Sequence, residues 1–187
     1  MNANLLTLSL GLLLAPACWA AYPPEPTKSW KLEPDSFVGI KLDGSNLAEL
    51  TPCPADAVAP TSEPMCLEQT SLADFYSISG TAYIGLVSDY LVGLKLNAGQ
   101  LEYLSISGSA EGFNDIHQLL VSRYGQPTRR ESKSLEMRNG LMFNNDILIW
   151  EGKQVTITLQ RNTDNYRQYS ATFTNIGSHP ELAEVQP

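Results

Sequence analysis

Gly112 to Gly125, GFNDIHQLLVSRYG, restricts the folding of this chain more than any other stretch. At about 100° per residue, Phe113, Ile116, Leu120 and Tyr124 fall in one arc with Leu119 and Val121 at its margins. Asn114, Asp115, Gln118 and Ser122 take the opposite side. Asp115 in the first turn and Arg123 in the last each carry the sign the macrodipole favours. Gly125 can close the helix, and Pro127 forbids its continuation. A helix with one apolar face must bury it against another layer, and short strands on either side are the only candidates.

Those strands are read from alternation and turn chemistry. Phe37–Leu42 and Ala82–Val87 are expected strands, and Asn46–Leu50 one helical turn. Tyr90, Val92, Leu94 and Leu96 alternate with Leu91, Gly93 and Lys95, and Asn97-Ala98-Gly99-Gln100 turns the chain into Leu101–Ser107. After the helix, Lys133–Arg138 and Leu141–Phe143 flank Asn139-Gly140, suited to a type I′ hairpin. Ile147–Glu151 and Gln154–Gln160 flank Gly152-Lys153, suited to type II′. Tyr169, Ala171 and Phe173 mark a last strand. Tight turns make neighbours antiparallel. The expected class is α+β: a twisted antiparallel sheet of six to eight strands in short hairpins, one main helix on a face, and a disulfide-closed loop.

Residues 1–20 read as a signal peptide, with an apolar run from Leu5 to Leu14 too short to span a bilayer and small residues before the cleavage point at Ala20. Lipidation at Cys18 is the alternative, but Ala15 stands where that processing signal favours Leu. Residues 21–36 read as a proline-rich arm that cannot enter a sheet interior. Residues 37–177 form one α+β domain, and 178–187 a loose tail. Once Cys18 is removed, Cys53 and Cys66 remain, an even pair expected to be oxidised in a periplasmic or secreted protein.

The net charge of −8 argues against nucleic acid or an anionic membrane as partner, since both require clustered Lys and Arg. Between Lys31 and Phe75, eight carboxylates (Glu33, Asp35, Asp43, Glu49, Asp56, Glu63, Glu68, Asp74) face only two lysines. Such a surface keeps an exported protein soluble and also steers a basic partner. Thr51–Ser71, holding four prolines and the cysteine pair, is the first candidate for a recognition loop. Tyr76 and Tyr83 lie near it, with Trp30 and Tyr90, among aromatics suited to an interface.

Catalytic signatures do not emerge. His117 borders the apolar arc and His179 precedes Pro180, too isolated for a metal site. There is no nucleophile elbow, no phosphate-binding glycine spacing and no thiol left to react; no cofactor is expected. A carboxylate-dependent hydrolase is the least favoured reading, because acidic residues alone define no site.

Arg123-Tyr124-Gly125-Gln126-Pro127 after an amphipathic helix, followed by hairpins with Trp150 and Val155-Thr156-Ile157-Thr158-Leu159, resembles small exported bacterial proteins of unassigned function. Ser79-Gly80-Thr81-Ala82-Tyr83 resembles the Ser-Gly-x-x-Tyr motif of periplasmic lysozyme inhibitors. That resemblance implies that Ser79 and Tyr83 meet the catalytic groups of a basic enzyme. The expectation is an exported, non-enzymatic protein that binds another protein, inhibitor- or immunity-like. An accessory subunit of an envelope or secretion assembly is the alternative.

Overall fold

The computed structural model describes residues 30–54, 64–136, 140–162 and 165–176. Helix α1, Phe113–Tyr124, follows a 3-10 turn at Ala110–Gly112 and buries Ile116, Leu120 and Tyr124. It stops as its sequence requires: Gly125 takes a φ of 79° and its amide donates to the Val121 carbonyl.

The strands are β1 (Ser36–Phe37), β2 (Ile40–Lys41), β3 (Thr51–Pro52), β4 (Cys66–Gln69), β5 (Phe75–Ser79), β6 (Tyr90–Asn97), β7 (Gln100–Ser109), β8 (Arg129–Glu136), β9 (Met142–Glu151), β10 (Val155–Arg161) and β11 (Gln168–Asn175). β1 and β2 make a separate ribbon. The other nine form one sheet in the order β3-β4-β5-β6-β7-β11-β10-β9-β8. Every pair is antiparallel except β3 with β4. α1 carries the chain from β7 at the centre to β8 at the far edge, and the last three strands return step by step until β11 pairs with β7. The class is α+β, with one more strand than expected and one parallel pair.

Period-two patterning builds the core. The registers align Tyr76, Leu94, Leu104, Phe173, Ile157 and Trp150 in one row across six strands. Leu94, Leu104, Phe173, Ile157 and Trp150 are fully buried there beneath α1 and the ribbon residues Phe37, Ile40 and Leu42. The other face carries Ser77, Gly93, Ser105, Thr172 and Thr158 in the neighbouring row. One face is therefore apolar and one rich in hydroxyls, as a sheet covered on a single side demands.

The expected segments differ from the observed ones in several places. Phe37–Leu42, expected as one strand, turns back at Val38-Gly39 to form the β1–β2 ribbon, and β5 was not expected. Ala82–Val87 alternates in burial through Ile84 and Leu86 but is not a strand. β5 and β6 pair directly with each other, which leaves this connection no ladder to join, so its two buried side chains only close the end of the core. Thr51–Ser71 contains β3 and β4 rather than irregular chain throughout. Leu141–Phe143 and Ile147–Glu151 belong to one strand, β9, and β8 begins before Lys133.

The β9–β10 turn differs as well. Gly152 lacks the positive φ that type II′ needs. Its glycine has a different cause: any Cβ there would collide with the Glu33 carboxylate. That carboxylate accepts hydrogen bonds from the amides of Lys153 (3.1 Å), Gln154 and Val155 (2.6 Å), satisfying a turn whose own geometry leaves them pointing outward. Residues 30–36, assigned to the arm by sequence, are thus fixed to the body. Trp30 adds a second attachment, its indole Nε1 donating to the Tyr124 carbonyl at 2.7 Å.

Candidate functional site

The registers place five connections at one end of the sheet. Cys66 pairs with Ser79, Tyr90 with Gly108, Ser109 with Gln168, Arg161 with Tyr169 and Glu136 with Met142. Cys66, the 80–89 connection, the start of α1 and the strand ends that flank the β10–β11 and β8–β9 turns therefore form a single rim. Of the eight large apolar residues exposed among the described residues, six lie on it: Tyr83, Val87, Leu91, Leu141, Met142 and Tyr166. Tyr83 is 73% exposed and Val87 91%. Neighbouring strands lie about 4.8 Å apart, so these residues mark a band roughly 30 Å wide and not one compact patch.

Ser79 ends β5 in solvent, and Gly80 turns the chain away from the sheet with a φ of 77°. Tyr83 is consequently not a strand residue but stands on an open connection. Two contacts brace that connection from below: the Ile84 amide donates to the Tyr90 hydroxyl at 3.4 Å, and Arg123 donates to the Ile84 carbonyl at 3.2 Å. On the edge side the Cys53–Cys66 disulfide, with its Cα atoms 4.9 Å apart, sits directly across from Ser79.

The remaining expected binding residues are dispersed. Glu68 lies exposed on β4 and accepts a bond from the Ser77 hydroxyl at 3.4 Å. Asp74, with a φ of 60°, is in the β4–β5 turn at the opposite end of the sheet. Tyr76 points to the core, level with Leu94, and is half-buried there. Asp56 and Glu63 lie outside the described residues. Only Ser79, Gly80 and Tyr83 are brought together on the rim. Val87, Leu141 and Met142 fell in expected strands and Tyr166 in a turn, and nothing in those short stretches marks a side chain as left in solvent. Leu91 was legible, since alternation puts it on the face opposite Val92 and Leu94.

Charge divides along the sheet. Residues 1–122 carry 4 Lys and Arg against 13 Asp and Glu, whereas residues 123–167 carry 8 against 5. The first set supplies β3–β7 and the second β8–β10, so the acidic excess belongs to the disulfide half of the sheet and the basic excess to the β8 half. On the basic side the Arg161 guanidinium lies between the Phe113 and Phe143 rings, 5.6 and 5.4 Å from their centroids.

Three buried polar atoms have no hydrogen-bond partner among the described residues: Ser88 Oγ, His117 Nε2 and the Tyr169 hydroxyl. His117 packs near Trp150, its ring 6.5 Å from the indole. Burial, aided by the nearby Arg130 charge, lowers its pKa. Trp150 is on β9, five strands from Ser79 on β5, roughly 24 Å away, so a His117–Ser79 pair is ruled out. No group of His, Cys, Asp and Glu among the described residues is arranged to hold a metal ion. No helix among them is long and apolar enough to cross a membrane.

Tyr169 occupies space left by glycines, since a Cβ on Gly108 would stand 2.8 Å from its hydroxyl. Its pKa is pushed up to about 12, first by burial and then by the charges of Asp115 and Tyr90. A phenol whose folded pKa exceeds its unfolded value of about 10 loses stability as pH rises between the two, because the unfolded chain ionises first. Tyr169→Phe should remove that alkaline sensitivity and leave stability at pH 7 unchanged or higher, since it deletes an unpaired hydroxyl. Thermal denaturation across pH 8–12 measures both effects (pH range set by the roughly 10 and 12 above).

No protein-family model matches the chain, and no curated protein or solved structure matches it either.

Proposed function

We propose that this is an exported, non-enzymatic protein that binds another protein, as an inhibitor or immunity factor, through the rim that carries Ser79, Gly80 and Tyr83. The observation that carries this reading is the exposure of Tyr83 on a braced connection at the end where most exposed apolar side chains collect. Aromatic anchors flanked by ordered chain are what binding hot spots are made of. The disulfide suits an oxidising compartment, periplasmic or extracellular. The acidic excess in the disulfide half of the chain favours a basic partner, adding encounter rate and orientation more than affinity.

Cationic lysozymes are the first partners to test, given the Ser-Gly-x-x-Tyr stretch. The wild type should inhibit at least one of them at micromolar concentration. Tyr83→Ala should weaken that inhibition by about tenfold or more without altering the melting temperature. Equal inhibition by wild type and Tyr83→Ala would remove the rim from the mechanism, and no inhibition of any member would remove lysozyme as the target.

An accessory subunit of an envelope or secretion assembly is the second reading. It is favoured by the place where the chain enters the described fold: Trp30 docks at the C-terminal end of α1, opposite the rim. A tether there would present the rim outward. Deleting residues 22–29, which precede both attachments, should leave an inhibitor active and release a tethered subunit from its assembly.

A further inference from the structure

The two edges of the nine-stranded sheet are built differently. β3 has two residues, one of them Pro52, and is stapled to β4 through Cys53–Cys66, all features that discourage added strands. β8 has eight residues, no proline or glycine, and an unbroken register with β9 from Arg129–Ile149 to Glu136–Met142. It is the last strand of the sheet, and Arg129, Arg130, Ser132, Lys133, Ser134 and Glu136 are exposed along it. Every second residue of such a strand turns its amide and carbonyl away from its only neighbour.

Charges on an edge normally repel strangers. Here their order makes the strand complementary to itself. We propose that β8 pairs antiparallel with β8 of a second copy of this chain, about a two-fold axis at Ser132, joining the two sheets into one. If apolar faces are to stay on the same side, each residue must oppose one of its own face, so the axis passes through a residue. Placed at Arg130, Glu131 or Lys133, it sets a charge against its own copy. At Ser132 it sets Glu131 against the second copy's Lys133 twice over, Arg130 against Ser134, and the Arg129 stem against Leu135. No like charges then face each other. Lys133 has no carboxylate partner within one copy among the described residues, so the pairing gives it one. This contact is separate from the rim and does not depend on the proposed function.

Light scattering and sedimentation of the purified full chain test the pairing. A reversible dimer of twice the monomer mass is expected in the micromolar range, weakening with added salt. Lys133→Glu should weaken it by about tenfold or more, and Glu131→Lys with Lys133→Glu together should restore it. Lys133 is exposed and Glu131 is half-buried and ion-paired with Arg129 of its own copy, so an unchanged circular dichroism spectrum is required to confirm that each variant folds. Ser132→Cys should crosslink rapidly in oxidising buffer, whereas Ser134→Cys, which would face Arg130, should not. A monomer at every soluble concentration, a dimer indifferent to Lys133→Glu, or a double variant no better than the single one would overturn the proposal.

Discussion

Replacing Trp150 with alanine should lower the unfolding free energy by about 3–5 kcal/mol, the largest change expected from any single substitution in this protein. The indole is fully buried at the end of the row that crosses the sheet. It also has a polar task. Nε1 donates to the Gly125 carbonyl at 2.7 Å, while Trp30 Nε1 donates to the preceding carbonyl, that of Tyr124, at the same distance. The last carbonyls of a helix lack partners within it, and water cannot serve those tucked against a core. Two indoles from distant parts of the chain therefore close the end of α1 and fix it to the sheet. Trp150→Phe separates the effects, since it keeps most of the apolar volume and removes the donor; about 1–2 kcal/mol should go with the hydrogen bond. Against a total stability of about 5–15 kcal/mol, Trp150→Ala removes a large share and should lower the melting temperature by roughly 6–20 °C. Circular dichroism in urea measures it without relying on tryptophan emission. A loss below about 1 kcal/mol would show that the helix is docked chiefly by Ile116, Leu120 and Tyr124.

Why α1 was legible and the edges were not follows from what each element buries. α1 has a partner layer, so Ile116, Leu120 and Tyr124 recur at helical spacing and Gly125 marks the stop. β6, β7, β10 and β11 occupy the middle of the sheet with one face covered, and their alternation shows. β8 covers nothing: Arg129 through Glu136 is polar at nearly every position, so turn chemistry marked a strand only from Lys133 and left Arg129–Ser132 unread. β5 was hidden differently, its Tyr76 and Ile78 being too short a pattern within an acidic, proline-studded neighbourhood. The Gly152 turn shows a further limit. Local chemistry suggested a primed hairpin, but the glycine answers to Glu33, more than a hundred residues earlier. Pairings across such distances leave no periodic trace. For the site, the sequence offered the Ser79–Tyr83 stretch and the two cysteines, and the structure places these at the same end of β4 and β5. The scattered carboxylates followed no face or period: Glu68 lies within β4, and Asp74 in the turn at the end away from Ser79.

Removing the crosslink by Cys53→Ser with Cys66→Ser should destabilise the protein by about 3 kcal/mol, lowering the melting temperature by roughly 6–12 °C. In the chain-entropy account, a bond between residues 13 apart removes loop-closure freedom from the unfolded chain and leaves folded contacts as they were. The double variant is required, because one lone thiol would pair between molecules. The damage should not spread evenly. β3 has only two register pairs with β4, reinforced by the Cys53 amide donating to the Leu67 carbonyl at 2.9 Å, and Pro52 contributes no donor. With the staple gone, that edge should open well below the global unfolding threshold. Hydrogen exchange at the Cys53 position should then accelerate far more than at Leu94 or Leu104 in the central strands. β4 would become the new edge, and its Cys66 position, which pairs with Ser79, would be held less firmly, so the proposed binding through Tyr83 should weaken along with local protection. A double-serine variant that matches the oxidised protein in both stability and exchange would mean that the excursion orders itself. The disulfide would then have no part in shaping the rim.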